Sequence, residues 1–163
     1  MKFCLIDRIV ELQSGQSIKA IKNLSLAEEY LQDHFPGFPV MPGVLQVEAL
    51  VQTGAWLMRE AENFQYSVVI LKEVKAVRFN NFVAPGKTLD VECTLHKRED
   101  RLYTFKASGS VDGSSTITAR ITLEQFNLAD NNPDFARSDE QRISKLREQF
   151  GTLWRPGTTA SPG

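Results

Sequence analysis

Residues 31–52 read Leu-Gln-Asp-His-Phe-Pro-Gly-Phe-Pro-Val-Met-Pro-Gly-Val-Leu-Gln-Val-Glu-Ala-Leu-Val-Gln. Three prolines and a glycine fall between positions 33 and 42. Proline fixes its own φ and restricts the residue before it, so this stretch reads as a stiff loop. From Gly43 the prolines stop, and a helix is expected to run to about Asn63. Val44, Leu45, Val47, Leu50, Val51, Ala55, Trp56, Leu57, Met58 and Ala61 cover most of its circumference, as in a helix buried on most sides. Arg59, Glu60, Glu62 and Asn63 gather in its last turns, where it is expected to emerge.

The flanking sequence supplies what buries this helix. Residues 5–24 read as strand, turn and strand, broken at Ser14-Gly15, and a short helix is expected near 26–31. Residues 67–71 and 74–79 are β-rich. Leu89, Val91, Cys93 and Leu95 alternate with Asp90, Glu92, Thr94 and His96. The same period recurs through Tyr103, Phe105, Ala107, Gly109 and Val111, and again through Ile117, Ala119, Ile121 and Leu123. This is the pattern of half-buried antiparallel strands, with hairpin turns at Arg98-Glu99-Asp100-Arg101 and Asp112-Gly113. One α+β architecture satisfies both patterns: a curved antiparallel β-sheet wrapped around a long central helix.

After Asn127 the pattern changes. Asn131-Asn132-Pro133-Asp134 reads as a loop, and 138–150 as an amphipathic helix with Ile143, Leu146 and Phe150 on one side. Ser138 and Gln141 would form its capping box. The chain thus divides into a domain, 1–126, and a C-terminal helical appendix, 127–163, whose last residues, 157–163, read as disordered.

With 163 residues, 42% hydrophobic and 24% charged, the chain has room for a sizeable core. A net charge of −1 gives no overall footprint for nucleic acid. No apolar run reaches the ~18 residues of a membrane span. The N-terminal Met-Lys-Phe-Cys-Leu-Ile-Asp-Arg meets charge too soon for a secretion signal, so a cytoplasmic location is expected. Cys4 and Cys93 suggest no disulfide framework, and Cys93 reads as a small buried hydrophobe. Two cysteines and two histidines lack zinc-type spacing, so no metal is expected.

The chemistry is concentrated where the reading began. His34 sits on the rigid loop, and Glu48 sits in the helix among Val44, Leu45 and Val51. Histidine and glutamate are the side chains best suited to moving protons near neutral pH. A carboxylate among aliphatic groups is costly unless paired or protonated. Gln52, one turn on, is placed to hold it by hydrogen bond. Pro42-Gly43-Val44 opens the helix, so the Gly43 and Val44 amides have no internal acceptor and face whatever lies in front. Beside a carbonyl they would stabilise an oxyanion. A base, an acid and an amide pair beside an apolar wall describe proton abstraction next to a carbonyl with loss of a β-hydroxyl. His96, the other histidine, falls on the outward face of a strand and reads as solvated.

The segment His34-Phe35-Pro36-Gly37, Pro39, Met41-Pro42-Gly43-Val44-Leu45, Glu48-Ala49 and Gln52 resembles the signature of the FabZ-type 3-hydroxyacyl-[acyl-carrier-protein] dehydratases. Ile6-Asp7-Arg8-Ile9-Val10-Glu11-Leu12, Ala20-Ile21-Lys22-Asn23, Val77-Arg78-Phe79 and Val83-Ala84-Pro85-Gly86 extend the similarity over roughly residues 3–125. The resemblance implies a hot-dog fold and dehydration of 3-hydroxyacyl-[acyl-carrier-protein] to the trans-2-enoyl product, in fatty-acid or specialised lipid biosynthesis. It implies His34 as the base at C2 and Glu48 as the acid at the C3 hydroxyl. Gly43 and Val44 would supply amides to the thioester oxygen, and Gln52 would orient Glu48. It implies no cofactor beyond the carrier's phosphopantetheine arm. The partner would be acyl carrier protein, and a homodimer would share its active sites, with a hexameric trimer of dimers as a further assembly. The related FabA type, which also isomerises the double bond, has aspartate at the acid position, so Glu48 favours dehydration alone. Lys72, Lys75, Arg78, Lys87, Lys97, Arg98, Arg101 and Lys106 outnumber the nearby acids, an excess that would steer an acidic partner. Three departures stand out: Trp56 replaces a smaller aliphatic residue and would shorten or redirect an acyl tunnel, Lys87 stands for a common aspartate, and the appendix is extra. A hot-dog thioesterase and a non-catalytic acyl-carrier-binding subunit are the competing readings.

Overall fold

A computed structural model describes residues 3–156 of the chain. Six strands, β1 (Arg8–Gln13), β2 (Ser17–Asn23), β3 (Val68–Phe79), β4 (Thr88–Glu99), β5 (Leu102–Val111) and β6 (Ser114–Phe126), form one antiparallel sheet in the order β1-β2-β4-β5-β6-β3. Helix α1 (Gly43–Ala61) packs along the inner face of this sheet, touching β2 through β6. This is the helix-in-sheet arrangement of the hot-dog fold.

The strand period does the sorting. Leu89, Val91, Cys93, Tyr103, Phe105, Ile117, Ile121 and Leu123 point inward and are buried against Ala49, Leu50, Leu57 and Met58 of α1. Each fully buried large aliphatic or aromatic side chain contributes about 1.5–3 kcal/mol. Cys93 is buried, and its Sγ donates to the Leu50 carbonyl at 3.4 Å. Mid-helix, Gly54 lets helix and sheet approach closely: a Cβ there would stand 3.2 Å from both Phe105 and Leu123. The Asp112-Gly113 turn has φ of 52° and 80°, the left-handed pair that a twisted two-residue hairpin requires.

Three sequence expectations are corrected. Segments 67–71 and 74–79 form one strand, β3, because two register shifts, with Ala76 at φ 52°, let it keep pairing with β6 across the interruption. The helix near 26–31 is a single 3-10 turn, Glu29–Leu31. The second helix, α2 (Ala136–Leu153), starts earlier than position 138 and has no Ser138 cap. Pro133 starts a 3-10 turn, Pro133–Phe135, that leads directly into it, and Asn132 caps that turn by accepting from the Asp134 amide.

α2 lies over the C-terminal half of α1. Phe150 inserts between Trp56 and Phe64, with ring centroids 6.0 and 5.3 Å apart, and Leu153 joins the core. Buried Asp139 ties α2 down by accepting from the Leu128 amide at 3.0 Å, the Ala129 amide at 2.8 Å and the Ser67 hydroxyl. The stretch 157–163, expected to be disordered, lies outside the described residues.

Candidate active site

The His34 loop is held by its own backbone. Phe35 and Phe38 exchange amide-to-carbonyl bonds at 3.1 and 2.9 Å, and the Val40 amide returns to the His34 carbonyl at 2.9 Å. Gly37, at φ 78°, makes the reversal possible. His34 Nδ1 lies 2.9 Å from the Val40 carbonyl oxygen. A carbonyl only accepts, so in the neutral ring Nδ1 carries the hydrogen and Nε2 keeps the lone pair. The half-buried imidazole therefore presents its basic nitrogen away from the loop.

The loop feeds α1 without a side-chain cap. The Leu45 and Gln46 amides return to the Pro42 carbonyl at 3.0 and 3.2 Å, while those of Gly43 and Val44 precede the helical ladder. Gly43 is required by close approach: a Cβ there would stand 2.8 Å from Cε1 of Phe79. The Val44 side chain is 74% exposed on the same tip.

Glu48 and Gln52 meet as their spacing predicts. Gln52 Nε2 donates to Glu48 Oε1 at 3.1 Å and to the Phe3 carbonyl at 3.0 Å, while its Oε1 accepts from the Leu5 amide at 2.9 Å. The Leu5 N–H fixes which end of the amide is oxygen, so the NH₂ must face Glu48. The N-terminal segment thus sets the orientation of Gln52, and Gln52 that of the carboxylate.

Both residues line a cavity of about 220 Å³ that continues past Ala55 and Trp56 to Arg59, with Leu146 and Gln149 of α2 on its wall. Neither His34 nor Gly43 nor Val44 lines this cavity, so within one chain the structure unites Glu48 with Gln52 and leaves His34 and the α1 tip apart from it. Arg59 was read as emerging at the helix end. Instead α2 helps to cover it, and burial pulls its guanidinium down to about 10. Sequence reasoning also missed the clamp by Phe3 and Leu5, and the wall residues Leu146 and Gln149. The available signal was the eleven-residue interval from Glu48 to Arg59, which returns to the same helix face. His96 is exposed, as expected. Among the described residues no group of three or more His, Cys, Asp or Glu is placed to hold a metal ion, and no helix is long and apolar enough to cross a membrane.

Comparison with known proteins follows this geometry. The family model described as FabA-like domain matches residues 1–120. The chain belongs to this FabA-like family, on the branch of the FabZ dehydratases. The 3-hydroxyacyl-[acyl-carrier-protein] dehydratase FabZ of Latilactobacillus sakei is 41% identical over 119 residues, which is 73% of this chain and 85% of the relative. That of Oenococcus oeni is 43% identical over 117 residues, 72% of this chain and 84% of the relative. Among solved structures, the dehydratase heterocomplex ApeI:P of Xenorhabdus doucetiae shares the fold with a TM-score of 0.65 at 19% identity, over 77% of this chain and 85% of that one. A mutant thioesterase of Pseudomonas aeruginosa shares it with a TM-score of 0.57 at 16% identity, over 73% and 80% of the two chains.

Proposed function

We propose that the chain dehydrates 3-hydroxyacyl groups, presented as thioesters on acyl carrier protein, to trans-2-enoyl groups. The observation that carries this reading is the oriented Glu48–Gln52 pair, 3.1 Å apart, on the wall of a cavity behind an uncapped helix tip, in a chain of the FabZ type. In the proposed step His34 Nε2 takes the C2 proton. The electron pair forms the C2=C3 bond as the C3–O bond breaks, and Glu48 gives its proton to the departing hydroxyl, which leaves as water. The Gly43 and Val44 amides hold the charge that builds on the thioester oxygen. Transfer of the proton from His34 back to Glu48 resets the site, and nothing is oxidised or reduced.

His34 would reach Glu48 across a homodimer. Two observations support that assembly: His34 is absent from the Glu48 cavity, and edge strand β3 leaves Ile70, Leu71 and Phe79 exposed. An acidic carrier fits the outer sheet face, where Lys75, Arg120 and Lys106 are direct cross-strand neighbours. Lys75 pairs with Glu73 at 3.1 Å, and the directly opposed Arg120 and Lys106 beside it would draw an anion. Residues 1–126 would form the catalytic unit and 127–163 an appendage.

Incubation with 3-hydroxyacyl-carrier substrates of short, medium and long chain should give enoyl product. His34→Ala and Glu48→Gln should each lower turnover by roughly 10²–10⁴-fold. Release of free thiol without enoyl formation, or no turnover at any length, would defeat the proposal.

A further inference from the structure

α1 carries a polar stripe through an otherwise apolar surface. Glu48, Gln52, Ala55 and Arg59 follow at intervals of four, three and four residues, which keep to one face of a helix at 3.6 residues per turn. All four line the same cavity. At about 1.5 Å rise per residue, the Cα atoms of Glu48 and Arg59 are about 16 Å apart along the axis. Glu48 is the carboxylate of the lining and Arg59 its cation; Ala55, the smallest side chain, keeps the space between them open.

The Arg59 end is walled by aromatic and aliphatic groups. Its guanidinium carbon lies 5.0 Å from the centre of the Trp56 ring. Trp56 is itself buried and packed on Phe150 of α2. Leu146 and Gln149, three residues apart on α2, add to the wall. Arg59 Nε is buried without a hydrogen-bond partner, and no carboxylate lies within ion-pair distance of the guanidinium among the described residues. The group remains charged at neutral pH, since burial lowers it only to about 10. Arg59 as a whole is only partly covered, but its cation lines the cavity without a counter-charge, and such departures from polar pairing concentrate where a ligand completes the site.

We propose that Arg59 recognises the far end of the acyl chain, and that the pocket takes 3-hydroxyacyl thioesters whose distal end carries a carboxylate. This rests on the dehydratase reading for the near end, where Glu48 and Gln52 meet the reacting carbons. The carboxylate supplies the missing counter-charge through a charge-assisted bond to the guanidinium. α2, which lies beyond the family match at residues 1–120, provides the apolar wall that makes that bond strong.

The test compares two synthetic pantetheine thioesters of equal length, one ending in methyl and one in carboxylate, with the full chain. The wild type should favour the carboxylate-ended substrate in kcat/KM by about tenfold or more. Arg59→Met should reduce that ratio to about one or below, and Arg59→Lys should retain a preference. A saturated, carboxylate-ended thioester that cannot lose water should raise the Tm of the wild type and not of Arg59→Met. An unchanged substrate ratio in Arg59→Met, or equal stabilisation of both proteins by the saturated probe, overturns the proposal. If neither substrate loses water yet the probe binds through Arg59, the catalytic reading falls while the assignment of Arg59 stands. If the methyl-ended substrate turns over and the preference is absent, the opposite holds.

Discussion

Asp139→Asn tests how α2 is held over the pocket. The native carboxylate accepts from the Leu128 amide at 3.0 Å, the Ala129 amide at 2.8 Å and the Ser67 hydroxyl. Hydrogen bonds to charged groups are worth about 1.5–3 kcal/mol each. Asparagine keeps one oxygen of the two and turns an NH₂ toward a donor that has no acceptor left. One orphaned donor costs about 1–3 kcal/mol, and the remaining bonds lose their charge assistance. A net loss of about 3 kcal/mol follows, which lowers Tm by about 6–12 °C for a chain of this size. The pH dependence supplies a second readout. Burial pushes the Asp139 carboxyl up, but Ser67, the two amides and the Arg142 charge outweigh it and hold the group below its usual range. A depressed folded value stabilises the protein above the unfolded value of about 3.9, and that stability is lost as pH falls through the folded one. Urea unfolding of both proteins should therefore show the full gap at neutral pH and a shrinking gap on acidification below about pH 4. A gap below about 1 kcal/mol at neutral pH, or one that persists unchanged in acid, would refute the account of Asp139 as the anchor.

Two further perturbations probe the same chain of contacts. Gln52→Leu leaves the Leu5 amide, the Phe3 carbonyl and Glu48 without their partner, so it should lower stability by about 1–3 kcal/mol and turnover more than its KM changes; a variant with normal kcat would deny Gln52 an orienting role. Trp56→Ala removes a buried ring between Arg59 and Phe150 and should cost about 3–5 kcal/mol, and denaturant midpoints matching wild type would show that α2 does not depend on it.

The fold was legible because its two periods do not overlap. A segment apolar all round, Gly43–Ala61, can only be enclosed, and three runs alternating strictly in twos can only enclose it. What stayed hidden was set by partners distant in sequence. β3 read as two β-rich segments because Lys72-Glu73 interrupts the apolar run, and only β6 shows that pairing continues across it with a shift of register. The sequence places the start of α2 too late because Ser138 carries a capping side chain, whereas α2 has no side-chain cap and continues straight from the 3-10 turn that Asn132 caps. The capping capacity of Ser138 was visible; that the chain would already be helical before it was not.

The site divides along the same line. Glu48 and Gln52 are four apart on one helix, so their contact follows from the helix alone. Arg59 required a further step. In the sequence it belongs to a cluster with Glu60 and Glu62, the ordinary composition of a helix end entering water. That reading holds only if nothing covers the end. α2 covers it, carried there by Phe150 against Trp56 and by Asp139 against Ser67. Glu62 keeps its partners, Arg98 and Tyr103, which leaves Arg59 partly covered and without a counter-charge among the described residues. The same covering that partly hides Arg59 from water strengthens any charge pair it forms, because a low-dielectric wall screens least. An appendage outside the family match therefore adds a wall to the pocket proposed to hold the reacting residues, and removal of Arg59 should cost the empty protein little stability while erasing the proposed preference for a carboxylate-ended chain. An Arg59→Met variant with a clearly lower Tm in the empty protein would show that Arg59 is held by partners of its own rather than left for a ligand.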